Sequence, residues 1–177
     1  NVDNTPSACI NTSGPTGWVV EGMTIQNCRS DAVNRAFTAG PDPLFPLVGS
    51  TVTDPDKSIH GGAIILDNGA DGIIRNCSFL HNEVVGDTGE AGAVRVQGMT
   101  TKLVVEGTLF DGNSTGALGN DGGAIRLVGG RYEDGVGSSL TLNNCIFRNN
   151  TAPKSTRDGG AIKVGGEMET FTARNCL

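Results

Sequence analysis

Several residue types that usually carry chemistry or cross membranes are scarce in this sequence. Aromatic residues make up only 5% of the 177 residues. No apolar run approaches the roughly 18 residues that a membrane-spanning helix requires. Residues 1–4 show neither the basic start nor the apolar stretch of a secretory signal peptide. We therefore expect neither a membrane span nor a signal peptide in this chain.

Clusters of basic residues and of metal-ligating residues are also missing. The formal net charge is −6 and the 13 Lys and Arg residues are scattered, whereas a nucleic-acid partner favours a clustered basic face. The five Cys residues form no CxxC pair, and there are only two His residues, so the ligand spacing of a zinc site is absent. We expect no nucleic-acid partner and no zinc cofactor.

Glycine, in contrast, is abundant and occurs in a repeated motif. Gly accounts for 27 residues, about twice its average usage. The motif Gly-Gly-Ala-Ile, or a close copy, begins at Gly61, Ala91, Gly122 and Gly159, at steps of 30, 31 and 37 residues. A second motif, Phe-x-x-Asn, follows the first three copies. An earlier repeat is recognisable at residues 20–28, and the last breaks off at the end of the sequence, which gives five repeats.

The pattern inside each repeat predicts β-strands. Apolar and polar residues alternate, as in Ile64 with Leu66 and Ile125 with Leu127, which is the period of a strand and not of a helix. Short strands separated by Gly and Asn corners, and repeated in register, describe a solenoid of parallel strands. Parallel crossovers are usually right-handed. We predict an all-β, right-handed parallel β-helix of about five rungs.

The two motifs are interpreted as the scaffold of this solenoid. Gly residues allow tight corners, and Ile and Phe fill the core. Asn76, Asn144 and Asn175 are expected at bends with left-handed backbone, which Asn tolerates. The predicted scaffold residues are Gly61, Gly62, Ile64, Phe79, Asn82, Phe110, Asn113, Gly122, Gly123, Ile125, Phe147, Asn150, Gly159, Gly160 and Ile162.

The chain is expected to form one β-helix domain over residues 1–177, which can be a segment of a larger protein. Insertions between repeats are expected in corner loops. The largest, residues 38–58, contains four Pro residues and is either a loop excursion or a degenerate extra rung. We favour the excursion, because Pro is a poor residue for a strand ladder.

The paired motifs resemble the repeats of the chlamydial polymorphic outer membrane proteins. The resemblance covers residues 59–177 and, more weakly, residues 7–28. It implies a surface-displayed β-helix that binds or builds structure, because in that family the repeats form the extracellular passenger of an adhesin. It transfers no catalytic residue. We therefore expect an extracellular, non-enzymatic module of an adhesin or of a secreted filament.

The expected partners are other copies or further rungs of the same protein, and a host-surface or polysaccharide ligand. An exposed glycoprotein would also suit three sequons, at Asn11, Asn113 and Asn149. Asn76 matches the same pattern but is expected to be buried.

Two columns of charged residues form the candidate site. His60, Glu90, Asp121 and Asp158 immediately precede the Gly-Gly corner, and Arg95, Arg126 and Lys163 lie on the outward side of the following strand. Both columns are expected to face solvent. Stacked acids repel unless a cation or the basic column neutralises them.

The acids Glu90, Asp121 and Asp158 therefore form either a Ca²⁺ site or one side of a salt-bridge ladder. We favour the ladder, because one column of oxygen ligands seldom completes the six to eight that Ca²⁺ takes. No other cofactor is expected.

The same columns support an alternative, a carbohydrate-active enzyme. Polysaccharide lyases built on β-helices combine acidic Ca²⁺ ligands with an Arg or Lys base on one outward face, and Arg126 beside Asp121 and Asp158 could act in this way. The regular Gly-rich spacing predicts a flat strip, however, and a lyase needs a cleft. We favour the non-enzymatic module.

Three Cys residues recur at one position of the repeat, at Cys77, Cys145 and Cys176. The alternation with Phe79 and Phe147 predicts that their side chains point inward. Buried thiols are favoured over a Cys145–Cys176 disulfide, which direct stacking would strain. A Cys9–Cys28 disulfide is left open.

Overall fold

The described part of the chain consists of short β-strands joined by corners. The computed structural model describes residues 10–13, 17–26, 29–31, 63–67, 69–85, 90–115, 122–129, 137–152, 159–166 and 168–177. These residues form seventeen strands in four sheets, which we call the first to fourth sheet.

The strands are numbered in chain order and listed here by sheet. The first sheet contains β1 (Ile10–Ser13), β5 (Ile64–Asp67), β9 (Val94–Gln97), β13 (Ile125–Val128) and β16 (Ile162–Gly165). The second contains β2 (Gly17–Glu21), β6 (Asp71–Arg75), β10 (Lys102–Glu106), β14 (Ser139–Asn143) and β17 (Thr170–Arg174). The third contains β3 (Thr24–Gln26), β7 (Ser78–Leu80), β11 (Leu109–Asp111) and β15 (Ile146–Arg148). The fourth contains β4 (Arg29–Asp31), β8 (Glu83–Val85) and β12 (Ser114–Thr115).

Every described strand pairs in parallel with the equivalent strand of a neighbouring coil. In the first sheet, Ile64 pairs with Val94, Val94 with Ile125, and Ile125 with Ile162. These are equivalent positions of the Gly-Gly-Ala-Ile motif, so the motif sets the register of the whole stack. The predicted parallel β-helix is confirmed.

The first two coils are direct neighbours. Ile10 of β1 pairs with Ile64 of β5, and Trp18 of β2 pairs with Gly72 of β6. Although many residues separate these two coils in the sequence, their strands are hydrogen-bonded directly to each other. The Pro-rich segment 38–58 lies outside the described residues, as do Gly61 and Gly62.

The core contains stacked columns of identical or similar side chains. Phe79, Phe110 and Phe147 lie one above another, with ring centroids 4.9 and 4.8 Å apart and ring planes nearly parallel. Ile64 and Ile125 are fully buried in the same core. The alternation in the sequence therefore identified the inward-facing side chains correctly.

A buried ladder of Asn side chains runs beside the Phe stack. The Asn113 Oδ1 atom accepts hydrogen bonds from the backbone N–H of Asn82 at 3.1 Å and from its Nδ2 at 2.9 Å. The Asn113 Nδ2 donates to the carbonyl of Phe79 at 3.0 Å and to Asn150 Oδ1 at 2.9 Å. The last residue of Phe-x-x-Asn thus satisfies the backbone at each corner, which explains its repetition.

The corners explain the glycines. Gly122 and Gly159 have φ of 80° and 112°, a backbone region that favours Gly. At Gly123 a Cβ atom would lie 2.3 Å from the carbonyl oxygen of Gly160, so the next coil leaves no room for a side chain. Asn144 and Asn175 have φ of 54° and 52°, which confirms the predicted left-handed bends.

Candidate functional site

Parallel register brings the predicted basic column together on the first sheet. Arg95 pairs with Arg126, and Arg126 pairs with Lys163, in the outward phase of β9, β13 and β16. Neighbouring strands of a sheet lie about 4.8 Å apart, so three cationic side chains follow one another at this spacing. The predicted alignment of the column is confirmed.

The prediction that this column faces solvent is wrong for its two Arg residues. The side chain of Arg95 is 8% exposed and that of Arg126 is 12% exposed. Part of the cause is the next coil, because the guanidinium of Arg126 lies over Gly165, where an added Cβ would be 3.0 Å from Nη1. Lys163 is half-buried. A side chain on the outward side of these strands is therefore not necessarily accessible to solvent.

Glu90 is the second cause of this burial, because its carboxylate joins the two Arg residues. Its Oε2 atom lies 3.1 Å from Arg95 Nη1 and 3.5 Å from Arg126 Nε, and the Glu90 side chain is itself only 19% exposed. One carboxylate thus bridges two coils and offsets part of the cost of burying two cations. At Glu90 the acidic column takes part in ion pairs, as the ladder interpretation expected.

Arg95 is the most strongly perturbed group of this cluster. Burial, reinforced by the charge of Arg126, lowers the pKa of Arg95 to about 9, so the side chain stays protonated at neutral pH. Its Nε atom is buried and makes no hydrogen bond to the described part of the chain. The cluster of Glu90, Arg95 and Arg126 therefore holds more positive than negative charge in a poorly solvated place.

The remaining acids of the column lie outside the described residues. These are Asp121 and Asp158, together with His60. Within the described ranges, no group of three His, Cys, Asp or Glu side chains comes close enough to hold a metal ion. The Ca²⁺ site at Glu90, Asp121 and Asp158 stays a prediction.

The structure changes the assignment of the sequons. Asn113 is fully buried and belongs to the Asn ladder, so it is not an acceptor in the folded protein and that prediction is wrong. Asn149 is exposed, and its Nδ2 donates to Asp111 Oδ1 at 2.9 Å. Asn76 is exposed at a corner with positive φ, contrary to expectation. The side chain of Asn11 lies outside the described part.

The Cys column points inward, as predicted. Cys77 and Cys145 are buried, Cys176 is half-buried, and all three are free thiols. Thr108 occupies the same position between the first two and is also buried. Burial is the main cause that raises the pKa of the Cys145 thiol. Cys9 and Cys28 lie outside the described residues.

A charged corner on the third sheet was not singled out from the sequence. Asp111 Oδ2 lies 2.8 Å from Arg148 Nη2. Hydrogen bonds from Asn149 and from Arg148 lower the pKa of Asp111 below its usual range. The signal was present, since Asp111 and Arg148 occupy the same position after Phe in successive repeats.

The outward side of the second sheet was also missed. We define the second-sheet face as the outward residues of β2, β6, β10, β14 and β17, which form three columns across the coils. Opposite charges pair along one of these columns, where Arg75 Nε lies 2.7 Å from Glu106 Oε2. The signal was again the alternation of inward and outward side chains, with a period of two residues, in the second strand of each repeat.

Together, the stacked coils and their Gly and Asn corners define a solenoid protein of the parallel β-helix class. A family model described as the right-handed β-helix region matches residues 8–177, and the chain belongs to this family. No curated protein and no solved structure gives a significant match. The described residues include no helix that is long and apolar enough to cross a membrane.

Proposed function

We propose that the chain is a non-enzymatic extracellular module, either a displayed segment of a surface adhesin or a unit of a secreted filament. It acts by presenting side chains on its outer faces to other copies of itself and to a host-surface or polysaccharide ligand. The β-helix family and the repeats that resemble those of the chlamydial surface proteins support this proposal.

The observation that carries the proposal is the burial of the two Arg residues of the basic column. A catalytic base must come within hydrogen-bond reach of the proton it removes from the substrate. Arg95 and Arg126 are 8% and 12% exposed and share the carboxylate of Glu90. Side chains held in this way are suited to fastening two coils together, and they are poorly placed to reach a polymer on the surface.

The same arrangement argues against Glu90 as a Ca²⁺ ligand. Its Oε2 atom already lies beside two guanidinium groups. The positive charges of these groups would repel a divalent cation at such distances. This supports an ion-pair role for the column and disfavours the lyase alternative, which needs an acidic Ca²⁺ site.

An assay of polymer cleavage tests the non-enzymatic part of the proposal. The chain is incubated with uronate polymers, with and without Ca²⁺, and the release of unsaturated sugar is followed by its ultraviolet absorbance. We expect no release. Arg126→Ala and the matched surface variant Arg148→Ala are assayed in parallel. Cleavage that is lost in Arg126→Ala and kept in Arg148→Ala would establish the enzyme instead.

Electron microscopy of the native material separates the two forms of the module. A filament unit gives regular fibres, whereas an adhesin passenger gives single rods attached to the cell surface. Immunogold labelling of unpermeabilised cells tests the location. Label that appears only after permeabilisation would contradict an extracellular role.

A further inference from the structure

We propose that the second-sheet face binds a second copy of this chain, side by side, with the two helix axes parallel. This deepens the proposed function, on which it rests, because it names the partner of one outer face. It uses residues that neither the core nor the buried Arg cluster employs.

The central column of the face is apolar at one end and β-branched throughout. It contains Val19, Ile73, Val104, Thr141 and Thr172, which pair in register across the five strands. Val19 is 56% exposed, and the other four are half-buried. These side chains stand on a regular surface with a spacing of about 4.8 Å, which suits packing against an identical column.

In two of the five strands, charges of opposite sign flank this column at equal distances. In β6, Asp71 and Arg75 lie two residues to either side of Ile73. In β10, Lys102 and Glu106 lie two residues to either side of Val104. The order of the signs is reversed between the two strands. Within one chain, Asp71 therefore lies next to Lys102, and Arg75 lies next to Glu106.

A two-fold axis parallel to the helix axis makes this face complementary to itself. The axis keeps each coil level with its counterpart and exchanges the two flanking columns. Asp71 then faces Arg75 of the second copy, and Lys102 faces Glu106 of the second copy. The central column packs on its own equivalent. The coils of β6 and β10 thus contribute two opposite-charge pairs each, and the interface is isologous.

Other two-fold arrangements fit less well. An axis along β6 would place Asp71 on the Asp71 of the second copy, and an axis along β10 would do the same for Lys102. An axis between these strands joins Asp71 to Lys102 of the second copy, but it engages four coils and sets the helix axes antiparallel. Copies that stand on one surface have parallel axes, so we assign the arrangement that keeps them parallel.

The size of the face implies a weak contact. Five strands of five residues cover roughly 24 by 16 Å, or about 400 Å² per copy, from the spacings of a β-sheet. A stable complex buries about 800 Å² per partner. The contact therefore becomes effective where many copies are held close together, because a raised local concentration strengthens weak contacts.

Charge reversal and mixing test the arrangement. Sedimentation equilibrium of the full chain, up to millimolar concentration, measures dimer formation for the wild type and for Lys102→Glu and Glu106→Lys. Each variant alone places like charges across the interface, and we expect its dissociation constant to rise roughly tenfold or more. An equimolar mixture of the two variants restores opposite charges at both places, so association returns to about the wild-type level.

The mixture distinguishes the parallel arrangement from the antiparallel one. In the antiparallel arrangement, Glu at position 102 meets Asp71 of the second copy and Lys at position 106 meets Arg75, so mixing does not help. Arg148→Glu is the matched control, because Arg148 is 60% exposed and belongs to the third sheet. It should leave association unchanged, and unfolding curves verify that all the variants are folded.

Three results would overturn the inference. These are a wild-type chain that stays monomeric at millimolar concentration, a dimer that both charge reversals leave unchanged, and a mixture without restored association. None of these results bears on the proposed function. That proposal would be overturned by cleavage of a polymer or by an intracellular location. Association that weakens as salt is raised would support the inference further, because exposed charges are screened.

Discussion

Replacing Asn113 by Ala removes the middle member of the buried Asn ladder and should destabilise the protein strongly. The Asn113 side chain makes four hydrogen bonds of 2.9 to 3.1 Å. It accepts two from Asn82 and donates one to Phe79 and one to Asn150. Ala can make none of these bonds and leaves a small void beside the Phe stack.

The size of the effect follows from the groups that lose a partner. The backbone N–H of Asn82 and the carbonyl of Phe79 each lose a hydrogen bond in a buried place, which costs about 1–3 kcal/mol per group. The side-chain amide of Asn82 keeps its hydrogen bond to the carbonyl of Ile25. The Oδ1 atom of Asn150 keeps the hydrogen bond that it accepts from the backbone N–H of residue 113. We expect a loss of about 3–5 kcal/mol in the free energy of unfolding.

Urea unfolding followed by far-ultraviolet circular dichroism measures this loss. Asn144→Ala is the matched control, because Asn144 is exposed at a corner and, among the described residues, its side chain takes part in one hydrogen bond, a 3.3 Å bond from Asn175. It should cost about 1 kcal/mol or less, mainly from its positive φ. The slope of unfolding against urea must be equal in all variants, since repeat proteins can unfold in parts. Equal losses in the two variants would refute the role of the ladder.

Three further results are expected. Gly123→Ala should cost about 1–3 kcal/mol, because its methyl group meets backbone atoms of the next coil, whereas Gly160→Ala, where nothing lies within 4 Å, should cost less than about 0.5 kcal/mol in the same unfolding assay. The pKa of Asp111 is lowered by folding, so its contribution to stability is present above its unfolded pKa and lost as pH falls through the folded value. The stability difference between wild type and Asp111→Asn should therefore vanish in acid, and one that persists there would contradict this. Buried Cys145 should react with a thiol reagent more slowly than half-buried Cys176, as peptide mass spectrometry can measure.

The interior of the solenoid could be predicted from the sequence because two periods agree. The alternation within a strand tells which side chains point inward, and the repeat length tells which of them stack. Phe79, Phe110 and Phe147 were placed correctly for this reason, and so were the left-handed corners at Asn144 and Asn175. Because each coil repeats the same pattern, each inward side chain packs against an equivalent position of the neighbouring coil, and local pattern and tertiary packing favour the same arrangement.

The outer side of the first sheet could not be predicted in the same way. Alternation puts Arg95 outward, but it does not tell whether another part of the chain covers the side chain. That cover includes Glu90, which comes from a corner and follows no strand period. Asn113 is the opposite case, since its sequon is a local pattern, while its recurrence three residues after Phe placed it among the predicted scaffold residues. Recurrence across coils is therefore a stronger signal than a single matching tripeptide.

The contrast between the inner Phe column and the outer columns indicates where the sequence is free to vary. The inner Phe column repeats one residue, because each ring packs against its own equivalent 4.8 to 4.9 Å away. The two flanking columns of the second-sheet face change at every coil, as the step from Asp71 to Lys102 and then to Ser139 illustrates. A change there costs the stack little, since surface substitutions seldom alter stability by more than about 0.5 kcal/mol. The fold thus leaves one face free to vary coil by coil, which is the face through which we propose that two copies associate.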